Sequence, residues 1–256
     1  RINVSKVKIM IVTHKEFKAP ASEIYLPICV GVGREVLKDK YQPDNTGDNI
    51  SEKNIRYCEL TALYWAWKNL NCDVVGLSHY RRLFSMSANN KNIDTLISEN
   101  DVVSLLSKYD CIVTPKKIYL QSVKNHYINC IKSRKQANNV QLNLLRETIS
   151  EKSPQYLNAY DKVMNSHSAH MLNMFIMPKE MMNEYCSWLF DILFELERKI
   201  EAHNAIFDRV MGAFGEFLLE VWIIGNRKSM IEVNMLETER DFWKKLIWVL
   251  KRKLVE

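Results

Sequence analysis

The sequence predicts an α/β fold, in which a mostly parallel central sheet is flanked by helices. Short apolar runs rich in β-branched residues recur along the chain, as expected for strands buried on both faces of a sheet. Several segments between these runs carry apolar residues at helical spacing, so strands and helices alternate. With 256 residues, of which 47% are hydrophobic, the chain can form one large domain with its own core.

Six segments are predicted strands. They are residues 7–14, 24–33, 73–79, 109–115, 170–178 and 230–235. Pro27 places the second strand at a sheet edge, because proline donates no backbone hydrogen bond. A turn-rich loop at residues 38–49 precedes a helix that Ser51 is expected to cap. Further helices are predicted within residues 116–167, and at 180–200 and 205–224.

The composition argues against several classes of function. A net charge of +6 is too small to indicate nucleic acid binding by itself. The seven glycines form neither GxGxxG nor a P-loop, so dinucleotide-binding and P-loop proteins lack their defining motif here. The six cysteines form no CxxC pair, which favours reduced thiols in the cytosol over a zinc ribbon. No apolar run reaches the roughly 20 residues of a bilayer span, and the first residues lack the apolar stretch of a secretion signal.

The prediction of function centres on residues 73–82. This stretch begins as a buried strand and ends in His79, Tyr80, Arg81 and Arg82. Open α/β sheets bind their ligands at the carboxyl ends of parallel strands. Two adjacent arginines and a nearby histidine suit a ligand with several negative oxygens, so a diphosphate is the natural candidate. The alternative is a solvated turn whose arginines pair with nearby acids.

The segments around this strand resemble a bacterial family of glycosyltransferases from capsule and O-antigen biosynthesis. The shared pattern is GDNIS at 47–51, Asn54, ELTxLYWxWKN at 59–69 and HYRR at 79–82. The likeness continues at 173–176 and 185–190, and so covers about residues 7–235. Members of the family resemble GT-A nucleotide-sugar transferases, and characterised relatives are similar to inverting galactofuranosyltransferases that use UDP-galactofuranose. The resemblance therefore implies a GT-A-like domain and a UDP-sugar-dependent hexosyltransferase.

The resemblance also raises the question of a metal ion. GT-A enzymes usually carry an Asp-x-Asp motif at the end of the strand that ends here at His79, and its carboxylates hold a divalent metal on the diphosphate. This chain contains no Asp-x-Asp. His79, Arg81 and Arg82 stand in its place, and fixed cations neutralise a leaving diphosphate by the same electrostatics. We therefore expect no required cofactor, with metal dependence as the less favoured alternative.

Inverting transfer needs a carboxylate that deprotonates the acceptor hydroxyl. Glu216 is the first candidate, although the family tends to have an arginine where this chain has Phe217. Its alternative role is that of a helix-end carboxylate paired with Arg209. Asp208 is the second candidate for the base, and Asp48 the third.

Four residues are candidate ligands of the nucleotide or the sugar: Asp48, Asn49, Tyr80 and Asn173. Carboxylate and amide oxygens suit sugar hydroxyls. Simple turn chemistry is the alternative for Asp48 and Asn49, and a structural role at a strand end is the alternative for Asn173. Trp65 and its neighbour Trp67 are predicted to be core rather than sugar platforms.

Residues 239–256 are predicted to form a basic amphipathic helix that follows the transferase domain at 1–238. Six basic residues outnumber three acidic ones in this segment, and its apolar side chains follow the helical period. Such a helix suits an anionic membrane surface, with a helix packed on the core as the alternative.

Together these inferences predict a cytoplasmic inverting glycosyltransferase at the inner face of the cytoplasmic membrane. Its expected partners are a UDP-sugar donor, with galactofuranose as the favoured sugar, and a lipid-linked or oligosaccharide acceptor. No nucleic acid partner is expected. A retaining UDP-galactose or UDP-glucose transferase is the first alternative. A non-catalytic sugar- or nucleotide-binding partner is the second.

Overall fold

The computed structural model describes residues 6–88, 93–132 and 139–238, without the side chains of residues 130–132. The strands are β1 (Val7–Thr13), β2 (Tyr25–Cys29), β3 (Gln42–Pro43), β4 (Val74–His79), β5 (Arg82–Phe84), β6 (Cys111–Val113), β7 (Lys117–Ile118), β8 (Ser168–Ala169), β9 (Phe175–Pro178), β10 (Met230–Glu232) and β11 (Met235–Glu237). The α-helices are α1 (Arg34–Leu37), α2 (Asn54–Tyr57), α3 (Leu60–Asn69), α4 (Glu99–Leu106), α5 (Val123–Lys132), α6 (Val140–Lys152), α7 (Leu157–Asn165), α8 (Lys179–Ala202) and α9 (Val210–Gly225).

The central sheet has the strand order β10-β6-β9-β4-β1-β2-β3, and β5 and β11 form an antiparallel extension at the end of β4. Strands β1, β2, β3 and β4 pair in parallel, and β10 pairs in parallel with β6. Only β9 runs against the other strands of this order within the described residues. The prediction of a mostly parallel sheet is therefore confirmed. Strand β3 covers only the last two residues of β2, so Pro27 lies on an open stretch of sheet edge.

Apolar residues cover both faces of this sheet. Along β1, Met10 and Val12 pack into one cluster with helices α3 and α6 to α9, whereas Ile9 and Ile11 pack into a second cluster with α4. This alternation follows from the two-residue period of a strand. Trp65 is buried in the first cluster, and its indole N–H donates to Thr46 Oγ1 at 2.8 Å.

Trp67 also belongs to the core, because its ring stacks on Phe190 of α8 with the centroids 5.7 Å apart. The core assignment of both tryptophans is thus confirmed.

Several predicted boundaries differ from the structure. Ser51 does not cap a long helix: it begins a 3-10 turn, and its own N–H donates to the side chain of Asn49 at 3.2 Å. The helical region after it is broken at Cys58, which has a positive φ of 52°. The segment predicted as one strand at 230–235 forms β10 and β11, which pair with different strands. The predicted helix at 205–224 begins only at Val210.

None of the helices in the described part of the chain combines the length and the apolarity that a bilayer span needs. The predicted amphipathic helix at 239–256 lies outside the described residues.

Candidate active site

An open cleft of about 690 Å³ lies at the carboxyl ends of β1, β2 and β4. Strands β2 and β3 lie on one side of β1 and strand β4 lies on the other, so the order in which strands are added to the sheet changes side at β1. Such a switch point is where open α/β sheets bind their ligands. The segment 51–59 and the start of α9 complete the walls.

Cationic side chains form the wall of the cleft at the end of β4. His79 ends the strand, Tyr80 and Arg81 form a turn, and Arg82 begins β5 in antiparallel register with His79. All four residues line the cleft. Thr238 fixes the turn, because its hydroxyl donates to the carbonyl of Tyr80 at 2.9 Å and its N–H to that of Arg81 at 3.1 Å. The guanidinium of Arg81 lies 5.1 Å from the ring centre of Tyr80, which favours its charge in this position.

His79 is held by a loop with an unusual backbone. Its Nε2 lies 2.6 Å from the carbonyl oxygen of Leu172, so this nitrogen donates the hydrogen bond. Leu172 and Asn173 both have positive φ, at 82° and 54°, which costs about 1 kcal/mol or more for each such residue. The side chain of Asn173 anchors this loop, because its Nδ2 donates to Glu59 Oε1 at 2.7 Å and to the carbonyl of Gly212 at 3.2 Å.

Glu216 lies in the middle of α9, where it lines the cleft and also a smaller adjoining cavity of about 170 Å³. Burial and, to a smaller extent, the negative charge of Glu59 raise the pKa of its carboxyl group. The positive charges of Lys117, Arg209 and Arg82 oppose this rise, and the resulting pKa is about 7. Near neutral pH a substantial fraction of this group is therefore ionised and able to accept a proton. A carboxylate with this pKa suits general base catalysis.

Glu220, one turn further along α9, has the opposite environment. It is buried, its Oε1 accepts from Lys116 Nζ at 2.5 Å, and its Oε2 accepts from the backbone N–H of His170 at 2.7 Å. Burial alone would raise its pKa, but the bonds from His170 and Lys116 lower the pKa to about 2. Glu220 is thus a permanently charged structural group, and Glu216 is a titrating one.

Comparison with known proteins identifies the family of this chain. The sequence profile of the family described as Domain of unknown function (DUF4422) matches residues 8–228.

The chain belongs to the DUF4422 family.

Among solved structures, this DUF4422 chain is similar to the apo structure of the bifunctional glycosyltransferase WbbM, with a TM-score of 0.73 and 26% sequence identity. The alignment covers 92% of this chain and 46% of WbbM, so the chain spans about half the length of that protein. The likeness confirms the predicted α/β fold of the glycosyltransferase kind. Among curated proteins, no sequence matches this chain.

The remaining candidates of this DUF4422 chain fall into two groups. Asp208 is exposed and lines the cleft in the turn before α9. Asp48 and Asn49 are not among the cleft residues: Asp48 accepts from the Tyr64 hydroxyl at 3.2 Å, and Asn49 forms the turn with Ser51 described above. Their placement thus supports turn chemistry, and their role toward a nucleotide stays an untested prediction.

Two details of the earlier predictions need correction. Asn173 precedes β9 in an irregular loop and is not at the end of the strand that was predicted for residues 170–178. Glu216 is not a helix-end carboxylate, because α9 extends from Val210 to Gly225. Arg209 acts on it as a nearby positive charge that lowers its pKa.

A metal site of the Asp-x-Asp kind does not fit this strand end, where cationic side chains stand. Across the described residues, no three His, Cys, Asp or Glu side chains lie close enough together to hold a metal ion. The need for a metal in the reaction stays open to experiment.

Sequence reasoning missed Glu59 as a member of the site. It lines both the cleft and the smaller cavity, and it receives the hydrogen bond from Asn173. The available signal was its position as the first residue of the ELT segment, directly before the apolar helix α3. Sequence reasoning also missed Lys117, because its effect on the pKa of Glu216 depends on proximity in the folded structure alone.

Proposed function

We propose that this DUF4422 chain is an inverting glycosyltransferase that moves a hexose from a UDP donor to a saccharide acceptor. The observation that carries the proposal is the meeting of two kinds of group in one cleft. Glu216, with a pKa of about 7, faces the same space as His79, Arg81 and Arg82. A base and a cluster of cations are the two parts that such a reaction requires.

The cations supply the leaving-group half of the chemistry. As the bond between the sugar and the diphosphate breaks, its electron pair passes to the diphosphate oxygen and negative charge accumulates there. Fixed positive charges at the end of β4 stabilise this charge more in the transition state than in the ground state. Arg81 and Arg82 keep their charge at every physiological pH, since the arginine pKa lies above about 12.

Glu216 supplies the nucleophile half. Its ionised carboxylate accepts the proton of an acceptor hydroxyl while that oxygen forms a bond to the anomeric carbon. The nucleotide leaves from the opposite face, so the configuration at this carbon inverts. Glu59 keeps the carboxylate of Glu216 basic through its negative charge, and Asn173 holds Glu59 in place.

The donor and the pathway rest on resemblance. The sequence pattern favours galactofuranose as the sugar, and capsule or O-antigen synthesis as the setting. The likeness to the bifunctional glycosyltransferase WbbM supports the general activity, since the alignment covers 92% of this chain at 26% identity. A peripheral position at the inner membrane face would bring the enzyme to a lipid-linked acceptor.

A donor screen tests the proposal. Calorimetry with UDP and several UDP-hexoses should show that a UDP-sugar binds, with UDP-galactofuranose the tightest. Transfer to an acceptor should then give a product of inverted anomeric configuration, as determined by NMR. Retention of configuration would instead identify a retaining enzyme. Absence of both binding and donor hydrolysis would favour a non-catalytic partner.

A further inference from the structure

The positive charge of this protein is concentrated in one segment. Residues 111–146 contain seven lysines and arginines and no aspartate or glutamate. The whole chain has a net charge of +6, so the other residues together have a net charge of −1. Of these seven residues, Lys116 and Arg146 form ion pairs with Glu220 and Asp161, and Lys117 and Lys124 are exposed. An excess of positive charge attracts anionic partners.

The same segment exposes two large apolar side chains to solvent. Ile118 is 83% exposed and Leu120 is fully exposed, although both are large aliphatic residues. Lys117 and Lys124 extend into solvent around them. Lys116, in contrast, is engaged with Glu220. The combination of exposed aliphatic and exposed cationic groups is typical of surfaces that contact anionic lipid.

The surface formed by residues 115–124 is held firmly in place. Strand β7 pairs with β8, and the N–H of Tyr119 donates to the carbonyl of His167 at 2.8 Å. The Tyr119 ring is partly buried against the core, and it stacks on His126 with the ring centroids 4.1 Å apart. The exposure of the residues on either side of Tyr119 is therefore a property of an ordered segment, which holds them outward without an ordering cost on binding.

We propose that the 115–124 surface docks on an anionic lipid bilayer, with Ile118 and Leu120 entering the headgroup region and Lys124 facing anionic headgroups. Two facts favour lipid over nucleic acid as the partner. The largest exposed groups are aliphatic, whereas single-stranded nucleic acid is bound on aromatic platforms. The only aromatic residue between Ile118 and Val123, Tyr119, is turned toward the core.

This surface adjoins the proposed active site. Lys117 and Pro115 line a cavity of about 380 Å³ that also includes Arg82 and Leu172, two residues of the cleft. A bilayer in contact with the 115–124 surface would thus lie beside the entrance to the site. Docking of this surface on a bilayer does not depend on the reaction proposed above.

Co-sedimentation of the full chain with vesicles tests this proposal. The vesicles would be pure phosphatidylcholine, or three parts phosphatidylcholine to one part phosphatidylglycerol. We compare Lys124→Glu with Lys108→Glu, an equal charge change on another exposed segment. We likewise compare the double variant Ile118→Ser/Leu120→Ser with Val36→Ser, whose side chain is 82% exposed on α1.

The parent should bind the anionic vesicles and not the neutral ones. Lys124→Glu should weaken this binding about tenfold, and the double variant about fivefold or more. Both controls should stay within about twofold of the parent, and all variants should keep the parent's unfolding temperature. Transfer to a water-soluble acceptor should not change, which separates this test from the test of function.

Two outcomes would overturn the proposal. If the test variants bind vesicles as well as their controls do, the 115–124 surface is not a lipid contact, and any binding belongs to another part of the chain. If the test variants lose binding to poly-uridine RNA but keep vesicle binding, the surface serves nucleic acid instead.

Discussion

Replacing Glu216 by glutamine should stabilise the protein above neutral pH and, at the same time, strongly reduce catalysis. The folded-state pKa of Glu216 is about 7, against an ordinary value of 4.5. Below pH 4.5 the group is protonated in the folded and unfolded states, so its ionisation contributes nothing. Between pH 4.5 and 7 the unfolded chain releases the proton and the folded chain keeps it, so stability falls as pH rises. At 1.36 kcal/mol per pKa unit, the loss is about 3 kcal/mol above pH 7.

Glutamine does not titrate and keeps the shape of the side chain, so the variant escapes this loss. Urea unfolding should show a variant that is about 3 kcal/mol more stable than the parent at pH 8, and less than about 1 kcal/mol more stable at pH 5. The catalytic constant should fall by about a hundredfold or more, because the amide cannot accept the acceptor proton.

Glu220→Gln is the matched control, because it makes the same chemical change one turn away on the same helix. The pKa of Glu220 is about 2, so its ionised form stabilises the fold above pH 4.5, and that stabilisation is lost as pH falls toward 2. This variant should be less stable than the parent at pH 8, by about 3 kcal/mol. If both substitutions destabilise the protein at pH 8, the carboxylate of Glu216 is not desolvated, and the argument for its role as a base fails.

Four further results are expected. Arg82→Ala or Arg81→Ala should weaken UDP binding, measured by calorimetry, by about 2 kcal/mol or more. The control Lys38→Ala removes an exposed charge outside the cleft and should leave binding unchanged. Full affinity in the folded arginine variants would contradict the diphosphate site. The kcat/KM of the free enzyme should rise with pH through about 7, as Glu216 loses its proton, and a profile that is flat between pH 5 and 8 would assign the base elsewhere. Transfer should survive EDTA, and restoration by manganese after a complete loss would establish a metal requirement. Removal of residues 239–256 should leave transfer to a short water-soluble acceptor intact and weaken transfer to a lipid-linked one. The reason is that each basic residue near an anionic membrane contributes about 1 kcal/mol to membrane binding. Unfolding of the shortened chain would assign the segment to the core instead.

The elements that sequence predicted well are those whose pattern is local. The first strand and β4 are apolar runs with β-branched residues, and both lie near the middle of the sheet. The cationic end of β4 was predictable because strand direction alone brings His79 and the two arginines to the ligand-binding edge. The position of the loop residues relative to the cleft could not be predicted from a local pattern. Asp48, for example, has a side chain that suits a ligand but accepts a hydrogen bond from Tyr64 outside the cleft.

The pairing of Glu216 with Glu59 could not be predicted in this way. The two residues are far apart in sequence, and their proximity depends on Asn173, which reaches both Glu59 and the backbone of α9 from a third segment. The opposite pKa shifts of Glu216 and Glu220 are equally invisible in sequence. Both are glutamates on one helix; Lys116 and His170 pack against Glu220, whereas Glu216 lies near the negative charge of Glu59.

The reversed strand β9 has a consequence for the order in which the protein is built on the ribosome. β9 lies between β4 and β6, so β6 has no partner on that side until residues 175–178 have been synthesised. Strands β1, β2 and β4 pair with one another and can associate as soon as residue 79 has emerged. His79, Arg81 and Arg82 are therefore made before Glu216, but Thr238, which fixes their turn, is made after it. We expect UDP to protect nascent chains from protease only after residue 238 has left the ribosome, and not when the chain is arrested between β9 and α9.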